Sequence, residues 1–285
     1  MTSPEQEPRE PHAHRRVLIT GAAGGVGAAL ARELAAGGAR LALVDAETDA
    51  EGRPLAEGDG RLGTLARDLG PAVVFSARRD AGEAEAFVAE AAEALGGLDG
   101  AVACAGHRRD RSLLRLQDQD LADALAGPLV GAVRLTRAVA RHLSEARRPG
   151  SVVLSTSPSA FFGVARQSHH AAAAAGVVAF VRSAALELRR QDIRVNAVAP
   201  TARSRLTEDL PLFQRVRPGS LGPEHPARLM AYLLSEQAGG VHGETLGVAG
   251  GRVYALQARE STGAFASPGP FGYVELGERW DEIVA

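Results

Sequence analysis

The sequence predicts an α/β fold: a single doubly wound parallel sheet followed by a C-terminal extension. Three observations predict it. Short apolar or β-branched runs recur at residues 16–19, 41–45, 72–76, 98–103, 151–155 and 194–199, and each reads as a buried strand. Between most of them lie stretches with helical spacing, and strands alternating with helices of ten or more residues make a parallel sheet. The first strand meets its helix at a glycine-rich turn, Thr20-Gly21-Ala22-Ala23-Gly24-Gly25-Val26-Gly27.

Composition is compatible with one such domain. The chain has 285 residues, of which 45% are hydrophobic and 23% charged, which suffices for one large core. The formal net charge of −2 gives no electrostatic reason to expect nucleic acid or an anionic membrane. No apolar run reaches membrane-spanning length by eye, and residues 1–14 are too polar and Pro-rich for a signal peptide. They read as a disordered tail. One cysteine, Cys104, excludes an internal disulfide framework and suits a reducing cytoplasm. It is most simply a small buried residue. All 32 basic residues counted as Lys+Arg are arginine, a bias that high-GC coding explains in large part.

The elements follow in order. Leu30 and Leu34 set the buried stripe of the first helix. The second strand, Leu41-Ala42-Leu43-Val44-Asp45, ends in an acid. Residues 46–63, rich in Asp, Glu and Gly, read as a surface insertion before a helix near 62–69. Strand 72–76 leads to Arg79-Asp80-Ala81, helix 83–95 and strand 98–103, which stops at Cys104-Ala105-Gly106. Residues 118–143 form a long helix that Gly127-Pro128 should kink, leaving the Ala124 carbonyl unpaired. After strand 151–155 come Thr156-Ser157 and a second long helix, 167–190, carrying His169-His170 and a run of alanines. The sixth strand, 194–199, is expected to stop at Pro200. Residues 201–222 have the composition of a substrate-covering loop. A helix at 227–234 and a strand at 245–248 complete the sheet. The domain therefore spans residues 15–251, and 252–285 form an extension that packs on the domain or on a neighbouring subunit.

The glycine-rich turn carries the first functional expectation. Backbone N–H groups at a helix N-terminus, left bare by glycine, cradle phosphate, and pyrophosphate is their usual guest. Thr20, Gly21, Gly25, Val26 and Gly27 are the candidates. Asp45 lies where a dinucleotide fold places the carboxylate that takes the adenosine ribose hydroxyls; a strand-terminal aspartate capping a turn is the plainer alternative. A carboxylate there repels a 2′-phosphate, and neither Ala22 nor Ala23 compensates, so NAD(H) is favoured over NADP. Asp80 and Gly106, at the carboxyl ends of strands, are candidates for the adenine and ribose edges. No cluster has metal-ligand spacing.

Taken together, these residues resemble the short-chain dehydrogenase/reductase family, whose domain is a Rossmann fold. The motifs are Thr20-Gly21…Gly25-Val26-Gly27, Cys104-Ala105-Gly106, Ser157 after the fifth strand, and Arg194-Val195-Asn196-Ala197-Val198-Ala199-Pro200. The resemblance adds Ala105, Pro200 and Thr201 to the cofactor-binding candidates. Arg109-Asp110-Arg111-Ser112, Ala202-Arg203-Ser204-Arg205-Leu206-Thr207 and the tail beyond Gly251 look like the (3R)-hydroxyacyl-CoA dehydrogenase module of multifunctional enzymes. That subgroup implies NAD and an acyl-thioester or other small-molecule ligand. Arg203 and Arg205 are candidate contacts for an anionic substrate, although solvated loop arginines are the commoner case.

The family's catalytic set is a Ser, a Tyr thirteen positions on, and a Lys four beyond that. Counted from Ser157, those positions hold His170 and Ala174. The chain has no lysine anywhere, and Pro128 stands at the site usually given to an Asn or His. Without the Tyr and Lys the ordinary proton relay is gone, and such assistance is worth about 10²–10⁴ in rate. His170 could replace it, since imidazole titrates near neutrality unaided. Ser157 could still donate to a substrate oxygen, or serve only local backbone bonding. Three functions stay open: a redox-inactive partner subunit (a pseudoenzyme) of an active hydroxyacyl/ketoacyl oxidoreductase, an atypical ketoreductase using His170 or substrate-assisted proton transfer, and a non-redox cyclase or lyase. Members of the family that these residues resemble associate through the helices matching 118–143 and 167–190, so the resemblance implies a dimer or tetramer, with itself or with an active homologous subunit.

Overall fold

The computed structural model describes residues 11–56, 60–217, 219–266 and 269–285. Its sheet has eight strands in the order β3-β2-β1-β4-β5-β6-β7-β8. These are β1 Arg16–Thr20, β2 Arg40–Asp45, β3 Val73–Arg78, β4 Gly100–Ala103, β5 Gly150–Ser155, β6 Ile193–Thr201, β7 Thr245–Ala249 and β8 Arg252–Ala255. Strands β1 to β7 pair in parallel, and β8 closes the edge antiparallel to β7.

The helices are α1 Gly25–Ala36, α2 Arg61–Leu69, α3 Ala84–Leu95, α4 Asp118–Leu125, α5 Ala132–Glu145, α6 Ser159–Phe162, α7 Ser168–Leu188, α8 Pro211–Arg215, α9 Glu224–Leu234, α10 Tyr273–Glu278 and α11 Trp280–Val284. They make two layers because strand side chains alternate. Leu18 faces a core of Phe87, Val88, Leu135, Val139, Val177 and Val181 from α3, α5 and α7. Val17 and Ile19 face the opposite core, built with Leu30, Leu34, Leu62, Leu65, Met230 and Leu233 from α1, α2 and α9. The strand order reverses between β1 and β4, so the loops that follow them diverge and open a crevice at their carboxyl ends.

Several expectations need correction. Of the tail expected to be disordered, residues 1–10 lie outside the described residues, but residues 11–14 form a packed turn. His12 is buried, its N–H donates to the Gly37 carbonyl at 2.9 Å, and a Cβ on Gly37 would come within 2.8 Å of its ring. The long helix does not simply kink at Pro128. Residues Ala126–Gly131 form a π-helical turn between α4 and α5, in which each N–H bonds five residues back. The Ala124 carbonyl then no longer depends on the N–H that proline lacks. Strand β6 continues through Pro200 to Thr201. Its pairing with β5 ends at Val198, while pairing with β7 runs on to Thr201, so the missing N–H of Pro200 faces the side without a partner strand. The four residues Arg252–Ala255, expected in the extension, form β8.

Ser168–Gln191 is long and apolar enough, by length and composition, to cross a membrane, contrary to the sequence expectation. Its His169, Ala173, Ala174, Val177, Val178, Val181, Ala184 and Ala185 are buried within the domain, as in a core helix. At the opposite end of the strands from the crevice, Asp99 accepts from Arg16 Nε and Nη2 and from Arg148 Nη2. Burial would raise its pKa, but these bonds prevail and hold the carboxyl at about 2.

Two compact units result, one ending at Ala255 and the other Leu256–Ala285. In the second, Arg279 organises the chain: it pairs with Glu282 at 2.7 Å, donates to the Phe265 carbonyl at 3.0 Å and stacks over the Phe271 ring.

Candidate cofactor and substrate site

Strand β1 ends at buried Thr20, and the chain turns at Gly21 with φ +67°. That conformation disfavours any side chain, and a Cβ would also lie 2.4 Å from the Ala105 nitrogen after β4. The two loops at the strand-order reversal are thus in backbone contact. A Cβ on Gly27 would strike the Gly21 carbonyl at 2.2 Å, so the first turn of α1 lies close against the loop. Its N-cap, Gly24, contributes no side-chain cap, and the first-turn N–H groups are left to an incoming anion. The glycine cradle therefore fits a dinucleotide diphosphate.

Asp45 braces this turn. Its Oδ2 accepts the Ala23 N–H at 2.8 Å and its Oδ1 accepts the Glu47 N–H at 2.6 Å. An ionised carboxylate accepts about four hydrogen bonds, so room remains for ribose hydroxyls. The turn-capping and ribose-binding readings of Asp45 are compatible.

The segment expected to be a surface insertion instead straps across the crevice. Arg108 N–H donates to the Ala50 carbonyl at 2.8 Å and Arg109 Nε to the Glu51 carbonyl at 2.6 Å. Glu47 is buried, and its Oε1 accepts the Leu62 N–H at 3.0 Å, near the start of α2. Beneath the strap lies a cavity of about 210 Å³ lined by Thr20, Gly21, Asp45, Asp80, Ala105 and Gly106, all expected from the sequence. Thr48, Gly52, His107 and Arg109 also line it and were not anticipated. Asp80 is exposed at the rim, where Oδ1 accepts the Gly82 N–H at 2.7 Å.

Of these unanticipated residues, His107 is the most informative. Its ring lies against Gly52, and its Nε2 is buried without a hydrogen-bond partner among the described residues. Burial, then the Arg109 charge, lowers its pKa, so the ring is neutral at pH 7. A buried polar atom in a cavity calls for a partner, and a nucleotide hydroxyl or ring nitrogen would serve. His107 directly follows Gly106, a position that the glycine motif itself could have flagged.

The residues expected to carry the chemistry are held by side-chain contacts. Ser157 Oγ accepts from Ser159 N–H at 3.2 Å and from Ser159 Oγ at 2.9 Å, which leaves its own proton free to donate. His170 is half-buried with neither ring nitrogen hydrogen-bonded among the described residues. Burial first, then His169 and His107, lowers its pKa. His169 faces elsewhere. Its Nε2–H donates to the Arg109 carbonyl at 2.7 Å, a tautomer fixed because a carbonyl can only accept. Ala174 is 4% exposed, and its carbonyl accepts the Thr156 hydroxyl at 2.9 Å.

Arg108 links the surrounding loops, donating to the Leu206 carbonyl at 2.6 Å and pairing with Asp209 at 2.5 Å. Gln167 donates to Asp110 at 2.9 Å. The loop that carries Arg203 and Arg205 lies on the glycine cradle, since a Cβ on Gly25 would meet Ser204 Cβ at 2.9 Å, and Arg205 itself is exposed. Cys104 faces the Met230 sulfur, and burial pushes its thiol up to about 12, which makes it unreactive. Among the described residues no group of His, Cys, Asp or Glu could hold a metal.

Residues 21–252 match the model of a family described as enoyl-(acyl carrier protein) reductase. The chain is 33% identical to the short-chain reductase protein NovJ of Streptomyces niveus, over 88% of this chain and all of that protein. A short chain dehydrogenase from Mycobacterium avium superposes with a TM-score of 0.83 at 27% identity, covering 95% of both chains. A second, from Mycobacterium paratuberculosis and bound to NAD, gives 0.74 at 25% identity, over 85% of this chain and 98% of that one. With the glycine cradle, the reversed strand order and these matches agreeing, the chain belongs to the short-chain dehydrogenase/reductase family.

Proposed function

We propose that this chain binds a nicotinamide dinucleotide, NAD(H) in preference to NADP(H), and acts as the redox-silent partner subunit of an active homologous oxidoreductase handling hydroxyacyl or ketoacyl compounds. The reading rests on the contrast between the two ends of the site. The adenosine end keeps its cradle, its carboxylate and a cavity, whereas His170 and buried Ala174 stand where the family resemblance expects Tyr and Lys. Coding bias turns lysine into arginine, not into a buried alanine. The single cysteine suits a cytoplasmic location.

The test combines binding and turnover. NADH titrated by fluorescence should bind the purified protein, which should turn over no hydroxyacyl or ketoacyl thioester alone. Added to an active homologous reductase, it should co-elute and alter that enzyme's rate. Turnover by the isolated chain would overturn the silent-subunit reading.

A second reading has its own observation, the unbonded and half-buried ring of His170. Kept neutral by burial, that ring could take a proton from a substrate hydroxyl while Ser157 donates to the same oxygen. The bound nicotinamide would supply hydride acceptance. His170→Ala should then abolish turnover by the isolated chain while leaving NADH binding intact.

A further inference from the structure

Two segments cover the crevice, and both are tied to one residue. The strap, residues 46–56, comes from the β2 side as an ordered hairpin. Thr48 bridges Pro54, Asp49 N–H donates to the Arg53 carbonyl at 2.9 Å, and the Asp49 and Arg53 side chains pair at 2.6 Å. Thr48 and Gly52 line the cavity together with Asp45, Asp80 and Gly106, so a nucleotide held there lies under the strap. Across the crevice the strap is fastened by Arg108 N–H on the Ala50 carbonyl, by Arg109 Nε on the Glu51 carbonyl and by the His107 ring against Gly52.

The second cover is the loop after β6. It crosses the glycine cradle at Ser204, whose Cβ would meet a Cβ on Gly25 at 2.9 Å. Thr207 Oγ1 stiffens the turn that follows, accepting Ser204 N–H at 2.9 Å and donating to the Ala202 carbonyl at 2.7 Å. This loop is fastened by the Arg108 side chain: Nη1 donates to the Leu206 carbonyl at 2.6 Å and Nη2 to the Asp209 carboxylate at 2.5 Å. The remaining nitrogen, Nε, faces Asp110 at 3.5 Å, and Asp110 accepts Gln167 Nε2 at 2.9 Å. The main chain of Arg108 thus holds the strap, and its guanidinium holds the loop. With a partner at each of its three guanidinium nitrogens, the long side chain has little freedom to absorb a movement of either cover.

We propose that Arg108 is a positioning residue that latches the strap and the loop together, so that the cover over the cavity and the cover over the cradle open and close as one. Coupling of this kind is reciprocal: releasing the loop frees the strap, and fixing the strap steadies the loop. Asp209 does not line the cavity, yet breaking its pair with Arg108 should change how fast nucleotide escapes. The effect on nucleotide rests on the cofactor reading; the coupling of the two covers does not.

The experiment compares the wild type with Asp209→Asn, Arg108→Gln and Glu208→Gln. Glu208→Gln is the control, the same loss of charge one residue away on a side chain with no hydrogen bond among the described residues. Amide hydrogen exchange is followed in residues 46–56 and 201–217, NADH release by stopped-flow displacement, and folding by thermal melting. Asp209→Asn should speed NADH release about threefold, and Arg108→Gln should speed it further, because it also loses the bond to Leu206. In both variants exchange should quicken in the strap as well as in the loop, whereas Glu208→Gln should match the wild type. Faster exchange confined to the loop, unchanged NADH release in both variants, or equal acceleration in Glu208→Gln overturns the latch and leaves the cofactor reading standing. If the wild type binds no NADH, the cofactor reading falls by itself, and exchange in the strap of Asp209→Asn still decides the latch.

Discussion

Gly21, Gly27 and Asp45 around the glycine cradle, and Ser157, His170 and Ala174, where the chemistry is expected, are fixed by different means. At the adenosine end backbone meets backbone: Gly21 against Ala105, Gly27 against the Gly21 carbonyl, and Asp45 against two peptide N–H groups. A substitution there disturbs the fold and the ligand site together. Ser157 and His170 instead project from a loop and from a long helix whose buried face does the packing. Both can change with little cost to folding, whereas Ala174 lies on the buried face of α7. The lesson is that the glycine cradle is held by the backbone of the fold itself, whereas Ser157 and His170 are not.

The sharpest way to break the comparison is Gly21→Ala. A Cβ at φ +67° and 2.4 Å from backbone combines conformational strain with overpacking. It should cost about 2–4 kcal/mol in denaturant melts and abolish NADH binding. A stable Gly21→Ala that still binds would show the adenosine end to be as replaceable as the chemical end.

Asp45→Ala comes next. Losing two charge-assisted bonds should destabilise the protein by about 1–3 kcal/mol and weaken NADH at least about tenfold. A loss of affinity without loss of stability would separate ribose binding from bracing of the turn.

Much of this contrast was legible in the chain itself. The glycine cradle, Asp45, Asp80 and Gly106 were readable because each obeys a local rule, a strand end, a helix start or a positive φ, and Ala105 followed from the family resemblance. His107 and Thr48 were not. Their roles come from contacts with segments distant in sequence, and no periodicity encodes which loop a side chain reaches.

Protonation offers a smaller effect. His12, His107 and His170 all have lowered pKa values, each with burial as the largest cause. The unfolded chain binds protons at these rings from about pH 6.5 downward, where the folded chain does not, so stability rises with pH through that region. The melting temperature should therefore fall as pH drops below about 6.5. Proton NMR should place the His170 midpoint below that value, and a midpoint above it would contradict a buried, unpaired ring.

Gly106→Ala should have the smallest effect on folding. Nothing lies within 4 Å of its Cβ position, so the change in stability should stay within about 0.5 kcal/mol. If NADH affinity nonetheless falls, cofactor passes over Gly106. If it does not, the cofactor-facing contact belongs to neighbours such as Ala105 and His107.

The sequence by itself determined the alternation of strands and helices, the two-faced core and the phosphate cradle, because these follow from side-chain periodicity and from what glycine alone permits over a few residues. Only the tertiary structure decided the rest. Pro200 stays within a strand because β5 ends beside it. Pro128 is absorbed by a π-helical turn, and His12 is buried against Gly37. Residues 46–56 become a strap. Each outcome depends on which distant backbone or side chain fills the space beside the residue, and such long-range contacts leave no signature in local spacing.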